Sequence, residues 1–266
     1  MPNAELGDVT IHYKEHGEGP PCLGVMGFAL DQRYWAMQVQ GVTKTHRFIT
    51  FDNRGIGRSN GDPVTSMKEM ADDAVRLLDH LGIEKTVVYG LSMGGAVSQR
   101  IVLDHPDRVS AIILGITFAR PIEFMRRQHE VARFVIRNGG PEMLLEASLM
   151  RMFTPEFFEV GGEVIDQMVK ANLAEGTGPS AEVLLAQLDA LDGHDVLHEL
   201  PRVSVPTLVL GAKMDQMVPG LGSKEIAAAV PGAELVMFET GHGCSVEEME
   251  KFNGAVHDFL KRLPAS

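Results

Sequence analysis

Three residues of this chain have the types and placements needed for acyl-transfer chemistry: Ser92, Asp215 and His242. Ser92 stands in Gly90-Leu91-Ser92-Met93-Gly94, directly after the β-branched run "TVVY" and before a helix-like stretch. A serine hydroxyl is a weak nucleophile and needs a general base, itself oriented by a carboxylate. Small neighbours suit a sharp turn in which the serine backbone is strained and bulkier side chains would collide. The G-x-S-x-G spacing gains its weight from the strand before it and the helix after it, because five-residue patterns recur by chance. The N-terminus of that helix also turns free N–H groups and a positive dipole towards a developing oxyanion.

Where such a turn is catalytic, the chain order runs serine, acid, histidine. Ten histidines compete for the role of base. His242, in "ETGHGCS", lies in a glycine-flanked loop just beyond the last expected strand. The carboxyl ends of strands face the crevice where open α/β sheets bind ligands. His12 and His16 belong to the first strand and its turn, and His80, His105 and His257 to helices. For the acid, Asp215 in "VLGAKMDQMVPG" directly follows the penultimate strand, whereas "LGITFARP" offers no carboxylate before Glu123. The plainer role for Asp215 is to stabilise a turn.

Positioning these residues requires an alternating α/β chain. "VTIHYKEHG", "PPCLGVMG", "HRFITFD", "KTVVYG" and "VSAIILGI" read as strands. Between them, "SMKEMADDAVRLLDHLGI" opens with the capping pattern Ser66-x-x-Glu69 and keeps its apolar residues on one helical face. From about Phe118 to Leu200 the strands stop. "NGGPE", "FTPE", "VGGE" and "GTGPSAE" then read as boundaries between about four helices. "VPTLVLGA", "GLGSKEIAAAV", "AELVMFE" and the closing "SVEEMEKFNGAVHDFLKRL" restore the α/β rhythm. Such alternation predicts right-handed βαβ units and a mostly parallel sheet. We therefore expect an α/β core over 1–117 and 201–266 with a helical insertion at 118–200.

Composition narrows the partners. With 266 residues, 44% hydrophobic and 23% charged, the chain can fill a sizeable core. A net charge of -12 argues against nucleic acid, whose phosphates need clustered lysine and arginine. No run of about 18 apolar residues predicts a membrane span. "MPNAELGDVT" lacks a basic then apolar leader, and two cysteines, Cys22 and Cys244, make no disulfide framework, so a cytoplasmic setting is expected. His194 and His198 in "HDVLH" have metal-like spacing but no third ligand in sight, so no metal is expected. "GIGRSNG" lacks the Lys-Ser/Thr of a phosphate loop. Cys244, close to His242, has no catalytic task once Ser92 is the nucleophile.

Met26, Met93, Met214 and Met217 neighbour the expected site loops, as core filling or as an adaptable acyl pocket. Trp35 and Met217 are candidate substrate contacts. Arg120, Arg126, Arg127 and Arg133 read as a solvated helix face, with capture of a substrate carboxylate as the alternative.

The stretches "FDNRGIGRS", "YGLSMGG", "VPTLVLGAKMDQMVP", "PGAELVMFETGHG" and "EKFNGAVHDFL" together resemble the α/β-hydrolase superfamily over nearly the whole chain. Within it they resemble small cap-bearing esterases, enol-lactonases, carbon–carbon bond hydrolases and cofactor-free haloperoxidases. The resemblance implies an eight-stranded sheet, Ser92 as nucleophile, Asp215 as acid and His242 as base. It also implies an oxyanion hole from the backbone N–H groups of Phe28 and Met93, and a loop at "GIGRSNG" that packs beneath the elbow. The chain departs from the family at Met26, where histidine is usual. The implied reaction is hydrolysis of a small-molecule ester or lactone without a cofactor. Carbon–carbon cleavage, perhydrolysis and a receptor built on the same fold are the alternatives. Serine at 92, where dehalogenases and epoxide hydrolases of this fold carry aspartate, argues against those two reactions.

Overall fold

Alternation of apolar side chains along the strands decides the architecture. In the computed structural model, which describes residues 2–172 and 178–264, β5 (Thr86–Leu91) sends Val87, Tyr89 and Leu91 to one core cluster and Val88 to the other. β6 (Val109–Gly115) and β7 (Thr207–Ala212) divide their side chains in the same way. A sheet apolar on both faces must be covered on both, and parallel strands supply the cover through their crossover helices.

The remaining strands are β1 (Asn3–Glu5), β2 (Thr10–His16), β3 (Pro21–Val25), β4 (Arg47–Phe51) and β8 (Glu234–Phe238). All eight form one sheet in the order β1-β2-β4-β3-β5-β6-β7-β8. β2 pairs antiparallel with β1 and β4, and every pair from β4 onward is parallel. This is the expected eight-stranded α/β-hydrolase fold.

One face is covered by α1 (Val39–Val42) and α9 (Met249–Lys261), the other by α2 (Met67–His80), α3 (Met93–Asp104) and α7 (Leu221–Ala229). Ser66 Oγ caps α2 by accepting from the Glu69 N–H at 3.2 Å. The Glu69 carboxylate reaches Thr65 N–H at 2.7 Å, one residue earlier than a capping box requires.

Between β6 and β7 lie α4 (Glu123–Met152), α5 (Pro155–Asn172) and α6 (Ala181–Asp192). The "NGGPE" stretch breaks α4 rather than ending it, because Gly140 leaves the helix at φ 73° just before Pro141. "FTPE" does separate two helices, but "VGGE" does not; α5 runs through it. Ser180 of "GTGPSAE" caps α6, while the start of that stretch lies outside the described residues. The closing helix also divides, into α8 (Cys244–Glu247) and α9. Among the described residues no helix is long and apolar enough to cross a membrane.

The loop "DNRGIGRSNGDP" is a packed strut. Arg54, 4% exposed, grips Asp73 of α2 with two bonds of 2.8 Å. Asp52 accepts from the backbone N–H groups of Gln32 and Arg58 at 2.8 and 2.9 Å. Both contacts fix the loop against neighbouring elements.

Candidate active site

β5 ends at Leu91 and α3 starts at Met93, so Ser92 alone makes the strand-to-helix turn. Its backbone sits at φ 54°, ψ −121°, a conformation that costs a non-glycine residue about 1–3 kcal/mol. Two bonds hold it there. Ser92 N–H donates to the Gly115 carbonyl at 2.8 Å, and Thr117 Oγ1 donates to the Ser92 carbonyl at 2.7 Å. The flanking glycines are steric necessities: a Cβ on Gly90 would lie 2.3 Å from the Gly94 carbonyl oxygen, and one on Gly94 2.0 Å from that of Val25.

The loops after β7 and β8 bring the other two groups to this turn. His242 Nε2 lies 3.1 Å from Ser92 Oγ, and His242 Nδ1 lies 2.7 Å from Asp215 Oδ2. The Asp215 side chain is fully buried and that of His242 is 7% exposed. An ionised carboxylate only accepts, so Nδ1 must carry a proton and Nε2 is left to accept from the serine hydroxyl. Asp215 Oδ1 meanwhile accepts from the N–H groups of Met217 and Val218, each at 2.8 Å. The aspartate thus stabilises its turn with one oxygen and orients the imidazole with the other.

Met93 is the first residue of α3, and Phe28 lines the same cavity as Ser92. Neither backbone N–H donates to a protein acceptor among the described residues. Gly27 brings this loop against the serine, since a Cβ there would lie 3.2 Å from Ser92 Cβ. With Met26 in place of histidine, the loop is anchored through its backbone. Asn53 Nδ2 donates to the Met26 carbonyl at 3.0 Å, and Ala29 N–H donates to Gln187 Oε1 of α6 at 3.1 Å. Asn53 and Gln187 carried no signal in the sequence, because each acts on a backbone group far away along the chain.

The loop bearing His242 is tied to the end of α4. Gly243 N–H donates to the Met152 carbonyl at 2.7 Å, and Glu247 accepts from both Gly241 N–H and Thr154 Oγ1.

Ser92 and His242 open on a cavity of about 560 Å³ walled by aliphatic and methionine side chains, including Met26, Met152, Met168 and Met217. Met93 is instead buried in the core and Met214 is exposed. Trp35 is a correction: it is fully buried, 4.7 Å from the Tyr89 ring and 5.2 Å from Phe48, and lies off this cavity. It sits in a short 3₁₀ helix, Gln32–Met37, where successive side chains diverge by roughly a third of a turn. Its neighbour Tyr34 lines the cavity instead.

The competing readings separate cleanly. Cys244 is fully buried, and burial pushes its thiol well above the ordinary range, so it stays protonated. His194 is buried edge-on to Phe118 while His198 is exposed, and no metal-binding group of three forms among the described residues. The four arginines singled out in the sequence are engaged elsewhere: Arg120 with Glu225, Arg126 with the Asp192 carbonyl, Arg127 with Glu123, and Arg133 with Asp189 and Asp192.

The alpha/beta hydrolase fold family matches this chain over residues 25–248. The chain belongs to that family. A RutD protein of Azorhizobium caulinodans, for which carbamate hydrolase activity is proposed, is 30% identical over 265 residues, covering 99% of each chain. An enol-lactonase from Burkholderia xenovorans superposes with a TM-score of 0.91 at 27% identity, covering 98% of this chain and all of that one. A thermophilic esterase from Thermogutta terrifontis gives 0.85 at 30% identity, with 96% and 94% covered. The likeness to this α/β-hydrolase group therefore spans the core and the inserted helices alike.

Proposed function

We propose that this chain is a serine hydrolase that cleaves a carboxylic ester or lactone. The reading is carried by the bonded series Ser92 Oγ, His242 Nε2 at 3.1 Å, then His242 Nδ1 and Asp215 Oδ2 at 2.7 Å, opening on an apolar cavity. Ser92 Oγ attacks the carbonyl carbon as His242 Nε2 takes its proton. The N–H groups of Phe28 and Met93 hold the oxyanion, a contact that strengthens as charge develops. His242 then passes the proton to the departing alcohol oxygen, leaving an acyl-Ser92. Water, deprotonated by the same imidazole, releases the acid and restores the serine. Asp215 keeps its charge throughout and stabilises the imidazolium. Ester and water balance acid and alcohol, so no cofactor is needed. In this reading residues 118–200 form a cap over the core, supported by Leu144 of α4 and Leu184 of α6 on the cavity wall.

The test is turnover of p-nitrophenyl butyrate by the wild type and Ser92→Ala. The variant should lose about 10⁴–10⁶ in kcat; equal turnover overturns the reading. Identity of 30% to RutD over the whole chain favours a second acyl class, so a carbamate belongs on the same panel. The same triad would serve it, with carbamate turnover above ester turnover as its signature.

A further inference from the structure

We propose that the cavity selects substrates with uncharged acyl groups, and that Glu142 enforces this selection. The inference rests on the hydrolase reading and names the substrate class of the same site.

Three observations converge. First, Glu142, at the exposed rim beside the Gly140–Pro141 break of α4, is the one carboxylate among the described lining residues. Among the described residues no lysine or arginine lines the wall. Second, five of the six arginines of residues 118–200 bond to other groups of the protein. Arg120, Arg126, Arg127 and Arg133 bond to the partners named above, Arg151 directs Nη1 to Gln128 Oε1 at 2.6 Å and Nε to the Ala147 carbonyl, and the sixth, Arg137, is exposed and does not line the cavity. Third, the interior is formed by side chains such as Leu30, Leu91, Leu145 and Val246, which cannot replace the hydration of an anion.

A carboxylate entering an apolar enclosure loses water and must be repaid by a paired charge or by donors. Here it meets no paired cation on the described wall and only the scattered hydroxyls of Tyr34, Ser148 and Ser245, while the one carboxylate of the described lining, Glu142, has the same sign. A neutral acyl chain of the same length loses nothing and gains apolar contact. Glu142 is therefore a specificity-determining residue.

The experiment compares p-nitrophenyl hexanoate with mono-p-nitrophenyl adipate, which differ by one terminal carboxylate, after subtraction of spontaneous hydrolysis. The wild type should favour the hexanoate by at least about thirtyfold in kcat/KM. Glu142→Lys should reduce that ratio by about fivefold or more, with the reduction shrinking at high salt. Hexanoate turnover by the variant is the internal check that it is folded. Ratios within about threefold of unity in the wild type overturn the proposal. So does a ratio that Glu142→Lys leaves unmoved. If the wild type turns over the butyrate and both test esters equally, charge selection alone falls. If it turns over none of them, the hydrolase reading falls with it.

Discussion

Asn53 Nδ2 donates to the Met26 carbonyl across 3.0 Å, so the loop after β4 holds the backbone of the loop after β3 in place beside Ser92. Both residues are buried, and the bond fixes the segment whose next N–H groups face the reacting carbonyl in the proposed mechanism. Asn53→Ala should lower kcat about tenfold with little change in KM, since the oxyanion forms only as the reaction proceeds. Affinity for a trifluoromethyl ketone, which mimics the tetrahedral state, should fall in parallel. A lower melting temperature with unchanged kcat would restrict Asn53 to a structural role.

Asp215→Asn separates orientation from folding. The amide oxygen can still accept from Met217 and Val218, keeping the turn. Its NH₂ would then face His242 Nδ1 and favour the tautomer with the proton on Nε2, which cannot accept from Ser92. The expected result is a loss of about 10³–10⁴ in kcat with the melting temperature nearly unchanged. Retained activity would remove Asp215 from the proposed triad.

Ser92, Asp215 and His242 were legible in the sequence because each sits at the carboxyl end of a strand, and strand ends are marked by glycine-rich punctuation. The fold was legible for the same reason: apolar periods of two and of about 3.6 alternate along most of the chain. Trp35 was not, since a 3₁₀ turn leaves no period by which to tell inward from outward. The break at Gly140 was marked by Gly-Gly-Pro, yet Gly161 and Gly162 gave a similar local signal inside an unbroken helix. A glycine pair permits a break, and packing decides whether one occurs. Asn53, Gln187 and Glu247 were invisible because their partners are backbone groups or distant hydroxyls, reached only after folding.

Burial of His194 makes stability depend on pH. The surrounding apolar packing lowers its pKa from 6.5 to about 4, with the Arg100 charge adding to the effect. Between those values the unfolded chain binds a proton that the folded chain refuses, so stability must fall as pH drops from 6.5 towards 4. Above 6.5 both forms are neutral and the contribution is flat; below 4 both are charged and it levels off. The full effect is about 3 kcal/mol. Urea titrations at several pH values should show a shallower decline for His194→Gln than for the wild type. Parallel curves would mean that His194 titrates normally.

Glu247 couples His242, the proposed base, to the insertion. One carboxylate oxygen accepts from Gly241 N–H at 3.0 Å, next to His242, and the other from Thr154 Oγ1 at 2.5 Å, where α4 gives way to α5. The imidazole must stay within hydrogen-bond reach of Ser92, and a displacement of about 1 Å can cost roughly a hundredfold in rate. Glu247→Ala frees the Gly241 peptide and leaves Thr154 without its acceptor, so kcat should fall about ten- to a hundredfold. Glu247→Gln should recover most of this: its oxygen can serve Gly241, and the Thr154 hydroxyl can turn to accept from the amide. A double-mutant cycle with Thr154→Val isolates the link. If the insertion positions His242 through this carboxylate, the two losses in kcat are strongly non-additive, because either change cuts the same connection. Additive losses would mean that Glu247 steadies the loop by itself and that α4 has no hold on the base through it.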